Sequence, residues 1–368
     1  MTGNSRLLKD ASTLRETRSL AIHVSPFLHI EPNRIYNPLT DRALTPTDSE
    51  WLAVRALLEG TGGDESLVAA GWAVPDGKDL SRQYRLKIVS LETMTTCNQK
   101  CYFCPVSVQP RQDEEMPEVL FHRIVQDLTN YRQTIEGVFL QSYNEPTIDR
   151  RFVDFCSALF DVGLPVAVLS NGTGLTPARV DALMKAGTLR YLCINLSTMD
   201  AAEYVRDRGA DHLQLVLRNL DYFKDFRVAD EMRVIVLGRG DEDQKRNFEL
   251  VRDRFAGSRF SVESYLTIDR GHWNLDVGRK SIEMKKNLAG CDLLGSRPLQ
   301  HLHITPRGSC ILCCQDYNEE YVVGDLSKST IAEVLEGDAI AKMRKWAYGI
   351  EDAPDDFICR TCTWALQR

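Results

Sequence analysis

Long hydrophobic runs are missing from this chain. No segment comes near the ~20 consecutive apolar residues that a membrane helix requires. The first twenty positions, Met1 to Leu20, mix Arg, Lys, Asp and Glu and hold no apolar stretch of the kind a secretory signal needs. Both absences point to a soluble, cytoplasmic protein. An excess of basic residues is missing as well. The 45 Lys and Arg are outnumbered by 52 Asp and Glu, for a net charge of −7. The two signs are interspersed, so no basic stripe is left to track a phosphate backbone. Neither nucleic acid nor a membrane is an expected partner. Low-complexity tracts are absent too. With 43% hydrophobic and 26% charged residues the composition is that of a globular protein. The 368 residues suffice for two or three domains of ~100–200 residues each.

Cysteine, by contrast, is plentiful: the chain has eleven. A reducing cytosol disfavours structural disulfides and makes clustered thiols better read as metal ligands. Three cysteines fall within Cys97 to Cys104, six within Cys291 to Cys362, and Cys156 and Cys193 stand between. Two metal sites are implied.

From Arg85 to about Asp269, short β-branched runs alternate with amphipathic stretches, the pattern of βα units on a parallel sheet. Six strands are expected, at Leu86–Leu91, Gly137–Gln141, Val166–Ser170, Tyr191–Leu196, Arg233–Leu237 and Phe260–Leu266. Helices are expected at Pro117–Asn130, Arg151–Val162, Pro177–Ala186, Leu213–Phe223 and Asp243–Phe255. Thr176 is a good cap for the third, with Pro177 at its first position and Gly187 behind it. Six units are too few for a closed eight-stranded barrel. An α/β fold is implied, either an open parallel sheet or a partial (β/α)6 barrel, with its chemistry at the C-terminal ends of the strands. Residues 1–84 read as a small separate α+β unit, with a strand-like Ala21–Ile30 and an amphipathic Glu50–Leu58 before a glycine-rich break at Gly60 to Gly63. The expected division is 1–84, 85–270 and 271–368.

Directly after the first expected strand comes Thr96-Cys97-Asn98-Gln99-Lys100-Cys101-Tyr102-Phe103-Cys104-Pro105, a C-x3-C-x2-C run. Three thiolates this close can hold three irons of one cubane and leave the fourth without a protein ligand. An open metal position is what separates catalytic from structural sites, and it can chelate the amino and carboxylate groups of a small molecule. A zinc knuckle is the alternative. Zinc needs four ligands, and the nearest further one is His122 on an expected helix. The loop resembles the C-x3-C-x-aromatic-C signature of radical S-adenosylmethionine (radical SAM) enzymes, with Phe103 in the aromatic place. That resemblance implies a [4Fe-4S] cluster on Cys97, Cys101 and Cys104 whose open iron binds S-adenosylmethionine. Reductive cleavage then gives a 5′-deoxyadenosyl radical that removes a substrate hydrogen atom, with flavodoxin or ferredoxin as electron donor.

Other segments are similar to the same family in the same order. Ser142-Tyr143-Asn144-Glu145-Pro146 resembles the motif that receives the methionine ammonium group. Asn144 replaces the usual glycine, and Glu145 keeps the carboxylate that an ammonium would seek. Ser170-Asn171 resembles the ribose-contacting strand end. Asn195 and Ser197 are two apart on the fourth strand and share a face. Arg208, before Gly209, resembles the partner of the methionine carboxylate, and Leu237 is placed to border the adenine. The alternatives are a solvated loop acid at Glu145, a solvated helical Arg208 and an ordinary core Leu237.

Downstream lie Cys291, Gly308-Ser309-Cys310-Ile311-Leu312-Cys313-Cys314, and Cys359-Arg360-Thr361-Cys362. The Gly308 to Cys313 hairpin and Val323-Gly324-Asp325-Leu326 are similar to SPASM and twitch domains, which carry auxiliary iron–sulfur clusters. Six cysteines are too few for two four-cysteine sites. One auxiliary [4Fe-4S] cluster on Cys291, Cys313, Cys359 and Cys362 is the economical expectation, with Cys310 or Cys314 as substitutes and zinc as the alternative metal. An auxiliary cluster can take the electron left on a substrate radical, which makes a net oxidation or an oxidative cross-link natural. Cys193 shares a strand face with Asn195 and could return a hydrogen atom, as an epimerase requires; packing as a small hydrophobe is the plainer account. Cys156 reads as core.

For the substrate, two classes stay open. One is a ribosomally made peptide, with residues 21–84 as a leader-binding unit that faintly resembles winged-helix recognition domains and offers the Ala21–Ile30 run as a sheet edge. The other is a small polyol or aminosugar, dehydrogenated or epimerised as in the aminocyclitol dehydrogenase branch of the family. A cluster-bearing scaffold or redox sensor is a third reading, which leaves Glu145 and the strand-end polar residues without purpose.

Overall fold

The computed structural model describes residues 21–270, 273–280 and 283–368. The first part of the expected N-terminal unit, positions 1–20, lies outside them. Residues 21–84 have a small core of their own, where Trp51, Val54 and Trp72 pack on Leu28 and Ile35. The elements of this unit are β1 (Ile22–Val24), β2 (His29–Glu31), β3 (Arg34–Asn37), β4 (Arg42–Leu44), α1 (Trp51–Leu58), α2 (Glu65–Ala69) and β5 (Ala73–Pro75). The single strand expected at Ala21–Ile30 is two strands, split at Ser25-Pro26, where the proline takes a donor out of any ladder. Its first half is no free edge, because β1 pairs antiparallel with β5. The second half is: β2, β3 and β4 form a separate sheet in that order, leaving β2 and β4 at the edges. This unit is tied to the rest through His29 Nε2 and Tyr348 OH (2.9 Å), Lys87 Nζ to Asp41 (2.9 Å) and Gln300 Nε2 to Tyr36 OH (2.8 Å).

The βα units expected from the sequence form the centre of the molecule. They run β6 (Ile88–Leu91), α3 (Glu118–Leu128), β7 (Gly137–Phe139), α4 (Phe152–Asp161), β8 (Val166–Ser170), α5 (Pro177–Ala186), β9 (Leu189–Asn195), α6 (Ala201–Arg208), α7 (Leu213–Phe223), β10 (Ala229–Gly238), α8 (Glu242–Arg254) and β11 (Ser261–Leu266). Local chemistry sets their ends. Thr176 accepts a hydrogen bond from Arg179 N with Pro177 at the first position of α5. At its other end a Cβ on Gly187 would meet the Phe160 ring at 2.5 Å, so only glycine lets α4 and α5 approach. α6 is not among the helices expected from the sequence, although Asp200 caps it and Gly209 ends it in the left-handed region.

The C-terminal part is β12 (Leu288–Cys291), α9 (Arg297–Gln300), β13 (His301–Ile304), β14 (Ser309–Ile311), β15 (Val322–Asp325), α10 (Ile331–Leu335), α11 (Asp338–Ala347) and β16 (Ala365–Gln367). β13 adds in parallel to β6, so one nine-stranded sheet runs β11-β10-β9-β8-β7-β6-β13-β14-β15. It does not close, and the fold is a partial barrel whose sheet crosses the boundary expected at residue 270. Residues alternate between its faces. Along β10, Val234 and Val236 are buried against the helices, whereas Arg233, Ile235 and Leu237 face the concave side. That concave side, at the C-terminal strand ends, is where the motifs collect.

Candidate active site

The loop after β6 presents Cys97, Cys101 and Cys104, each partly exposed. One side of the loop is a tight turn, with Cys104 N donating to Cys101 O (2.9 Å) and Ser107 N to Cys104 O (3.0 Å). The other side is held by α6: Lys100 N donates to Arg208 O (2.8 Å) and Tyr102 N to Asp207 O (3.0 Å). Gly209 permits this approach, since a Cβ there would stand 3.1 Å from Lys100 Cβ. The backbone N–H groups of Gln99 and Val106 point at the sulfurs of Cys97 and Cys104. Burial nevertheless pushes those thiols up to about 12 and about 11, so a metal taken here must displace protons.

Around the loop, most of the remaining expected residues converge. Arg208 is 1% exposed. Its Nη2 donates to Asn195 Oδ1 (2.7 Å) and Ser197 Oγ (2.6 Å), and its Nη1 lies 3.5 Å from Cys101 Sγ. Its guanidinium stacks 5.2 Å from the Phe103 ring centroid. Leu237 N closes the group by donating to Ser197 Oγ (3.1 Å). Arg208 is therefore not a solvated helical arginine. Glu145 is buried and heavily engaged. Its Oε1 accepts from Thr147 N (3.0 Å), Thr147 Oγ1 (2.6 Å) and Ser170 Oγ (2.7 Å), and its Oε2 from Asn171 N (2.6 Å). Burial raises its pKa against these bonds. A carboxylate has about four lone-pair directions, so one on Oε2 stays open. Asn144 closes its own turn, accepting from Ser142 N at 3.0 Å. Asn98, overlooked in the sequence, ties the cysteine loop to the end of β8 through Asn171 Nδ2 (2.9 Å) and Thr173 Oγ1 (3.0 Å).

The second thiol group is buried. Cys313 faces Cys314, Cys359 and Cys362, and Cys359 faces Cys362 and Cys291. Gln315 N lies 3.4 Å from Cys313 Sγ and Trp364 N 3.4 Å from Cys362 Sγ. The Arg297 and Leu293 N–H groups point at Cys291, whose thiol burial pushes up to about 11. The N–H two residues on thus aims at the sulfur of Cys97, Cys104, Cys291, Cys313 and Cys362 alike. Such donors favour a cluster ligand, because they disperse charge on a metal-bound sulfur. Cys310 is not brought to the group. It pairs across from Ile304 on the helix-facing side of β14 and packs in the core at 0% exposure. Cys314 is: burial raises its thiol, but Arg297 and Arg270 more than offset this and hold it below the ordinary range. Among the described residues no three His, Cys, Asp or Glu side chains close on a single ion.

Cys193 faces the concave side beside Tyr191, Arg233 and Glu263, 2% exposed, with its thiol pushed up to about 12 by burial. Cys156 is core, as expected.

Comparison with known proteins fits this geometry. Residues 91–249 match the radical SAM superfamily, and residues 291–363 match SPASM, an iron–sulfur cluster-binding domain. The S-adenosyl-L-methionine-dependent 2-deoxy-scyllo-inosamine dehydrogenase of Niallia circulans is 20% identical over 279 residues, 75% of this chain and 92% of that protein. Streptococcus suis SuiB bound to precursor peptide SuiA superposes with a TM-score of 0.56 at 12% identity, covering 93% of each chain. Native anSMEcpe with bound AdoMet superposes with a TM-score of 0.52 at 13% identity, covering 76% of this chain and 87% of that one. At these identities the structural likeness is one of fold. The SPASM match favours iron–sulfur over zinc at the second group. Residues 91–249 thus form a radical SAM domain and residues 291–363 a SPASM iron–sulfur domain, a pairing whose cofactors are [4Fe-4S] clusters and S-adenosylmethionine.

Proposed function

We propose that Cys97, Cys101 and Cys104 hold the catalytic cluster with one iron free of protein, and that Cys291, Cys313, Cys359 and Cys362 hold one auxiliary cluster with Cys314 spare. The donor sets suit this: three partly exposed thiols at an open mouth, and four buried thiols in which Cys359 and Cys362 each neighbour both Cys291 and Cys313. When bound, the cluster and S-adenosylmethionine supply a 5′-deoxyadenosyl radical that takes a hydrogen atom from substrate. The protein's own groups position that cofactor. The free lone pair of Glu145 receives its ammonium, Ser170 and Asn171 line its ribose, and Leu237 borders its adenine. Arg208, held by Asn195 and Ser197 and packed on Phe103, offers its carboxylate a cation. A cytoplasmic flavodoxin or ferredoxin is the matching reductant.

The substrate in this reading is a ribosomally made peptide that undergoes net oxidation or cross-linking. The observation that carries it is the reach of the likeness to peptide-bound SuiB, which at 93% of the chain takes in the N-terminal unit, whereas anSMEcpe reaches 76%. The open β2 edge suits an added strand. A second reading, oxidation of an aminocyclitol, has the Niallia circulans dehydrogenase in its favour, aligned over 92% of its length. Epimerisation, with Cys193 as hydrogen donor, has less support, since Arg233 and Glu263 crowd that thiol. Anaerobic incubation with S-adenosylmethionine, dithionite and a co-encoded short peptide is expected to give 5′-deoxyadenosine and a peptide lighter by a pair of hydrogens. A cyclitol turned over under the same conditions, with every peptide inert, decides for the second reading.

A further inference from the structure

Across the mouth from Arg208, the sheet carries buried polar groups that have no hydrogen-bond partner among the described residues. The concave rows run over β13, β6 and β7. His303, Ser90 and Phe139 are register partners, and the next inward step brings Thr305, Glu92 and Gln141, with Glu92 N donating to Ile304 O at 2.9 Å. Strands lie about 4.8 Å apart, so this row spans about 10 Å, the width of one amino-acid residue with its side chain. Among the described residues, Thr305 Oγ1, His303 Nδ1, Gln141 Oε1 and Arg297 Nε are buried and have no hydrogen-bond partner. A buried polar atom left unpaired is costly, which suits a receptor better than a finished core.

The charge of this sector is positive. Arg297 reaches in from α9 with Nη1 3.3 Å from His303 Nε2. Arg270, on the loop after β11, is within electrostatic reach of His303, Tyr143, Cys104 and Cys314. Among the described residues neither guanidinium forms an ion pair. Glu92 cannot serve them, being spent on Arg111 (2.8 and 2.6 Å) and Tyr143 N (2.9 Å). Arg208 is a separate cation, on the β9 side of the mouth.

We propose that this sector is the recognition subsite for an oxyanion of the substrate, a carboxylate or a phosphate. Arg270 and Arg297 hold it with the help of Thr305 and His303, and Gln141 Oε1 accepts an N–H beside it. Planar guanidinium forks match both oxyanions, and the acceptor suits a peptide backbone. The inference rests on the peptide reading above and narrows it: the residue presented between the two thiol groups is acidic or phosphorylated.

Saturation-transfer NMR on the anaerobically reconstituted full chain with S-adenosylmethionine tests this with three probes: N-acetyl-Ala-Glu-Ala-amide, its phosphoserine counterpart and its glutamine counterpart. One of the anionic peptides is expected to bind at least roughly tenfold more tightly than the glutamine form, and which one does so identifies the oxyanion. That discrimination is expected to vanish in Arg270→Gln and Arg297→Gln and to survive in part in Arg297→Lys, which keeps the charge if the glutamine variants fold poorly. Equal affinity for all three probes overturns the proposal. So does discrimination that persists in both glutamine variants while the auxiliary-cluster midpoint potential shifts, because the arginines then serve the cluster. The EPR change of the catalytic cluster on adding S-adenosylmethionine is read in the same samples. Its presence without anion discrimination defeats this inference alone, and its absence defeats the radical SAM assignment beneath it.

Discussion

The two thiol groups sit in one chain and face one mouth, yet they are built differently. The first is a short loop of three partly exposed cysteines, braced by α6 and surrounded by side chains that can bind a small zwitterion. The second draws buried cysteines from three separate stretches of sequence, between β12 and β16. An incomplete ligand set at an accessible place is a site for exchange, and a complete set in the interior is a site for storage. The contrast implies that one group performs the cleavage and the other serves the substrate, a division that substitution can break.

The largest expected effect is on the first group. Replacing Cys97, Cys101 and Cys104 together by Ala is expected to remove about four irons and all 5′-deoxyadenosine formation with dithionite. Product above the no-enzyme background would show that the cleavage site lies elsewhere. Replacing Cys359 by Ala is the reciprocal test. It is expected to remove about four irons while cleavage of S-adenosylmethionine without substrate continues. Loss of both together would mean that the groups are not independent and would erase the distinction.

A smaller effect is expected within the first group. Glu145 already accepts four hydrogen bonds, so its value to a ligand rests on the one open position of Oε2. Glu145→Gln keeps the shape and removes the charge. Binding of S-adenosylmethionine to the reconstituted protein is expected to weaken by roughly 1.5–3 kcal/mol, about 10- to 150-fold. Unchanged affinity by calorimetry would leave Glu145 as a brace between the β7 loop and β8.

The first group is far more legible in the sequence than the second. Its ligands lie within one turn of loop, so spacing alone implies convergence, and the strand ends that supply Glu145, Ser170 and Asn195 follow from the βα pattern. α5 and β8 match their expected bounds to the residue because Thr176, Pro177, Gly187 and the β-branched run mark them locally. α6 escapes notice because its strongly polar sequence hides any apolar stripe, although Asp200, Glu203 and Gly209 spell its caps. The extension of the sheet by β13 is not legible, since His-Leu-His-Ile announces a strand but not its partner. Arg270, Arg297, Tyr143 and His303 meet only through that non-local pairing, and no motif links them.

Cys310 and Cys313 carry the contrast down to a single hairpin. Sharing that hairpin makes the two look interchangeable as ligands, but three residues apart on an extended chain are on opposite faces, so strand alternation alone separates them. Cys310 and Leu312 enter the core, and Cys313 turns to the thiol group. Cys310→Ala is therefore expected to cost about 1–2 kcal/mol of stability as a small cavity in a packed core, and to leave iron content and the auxiliary-cluster EPR signal unchanged. Cys313→Ala is expected to do the reverse, sparing the core and losing the signal. Iron analysis of the two reconstituted variants side by side checks this, and loss of about four irons from the Cys310 variant would place a ligand on the face that the strand alternation assigns to the core.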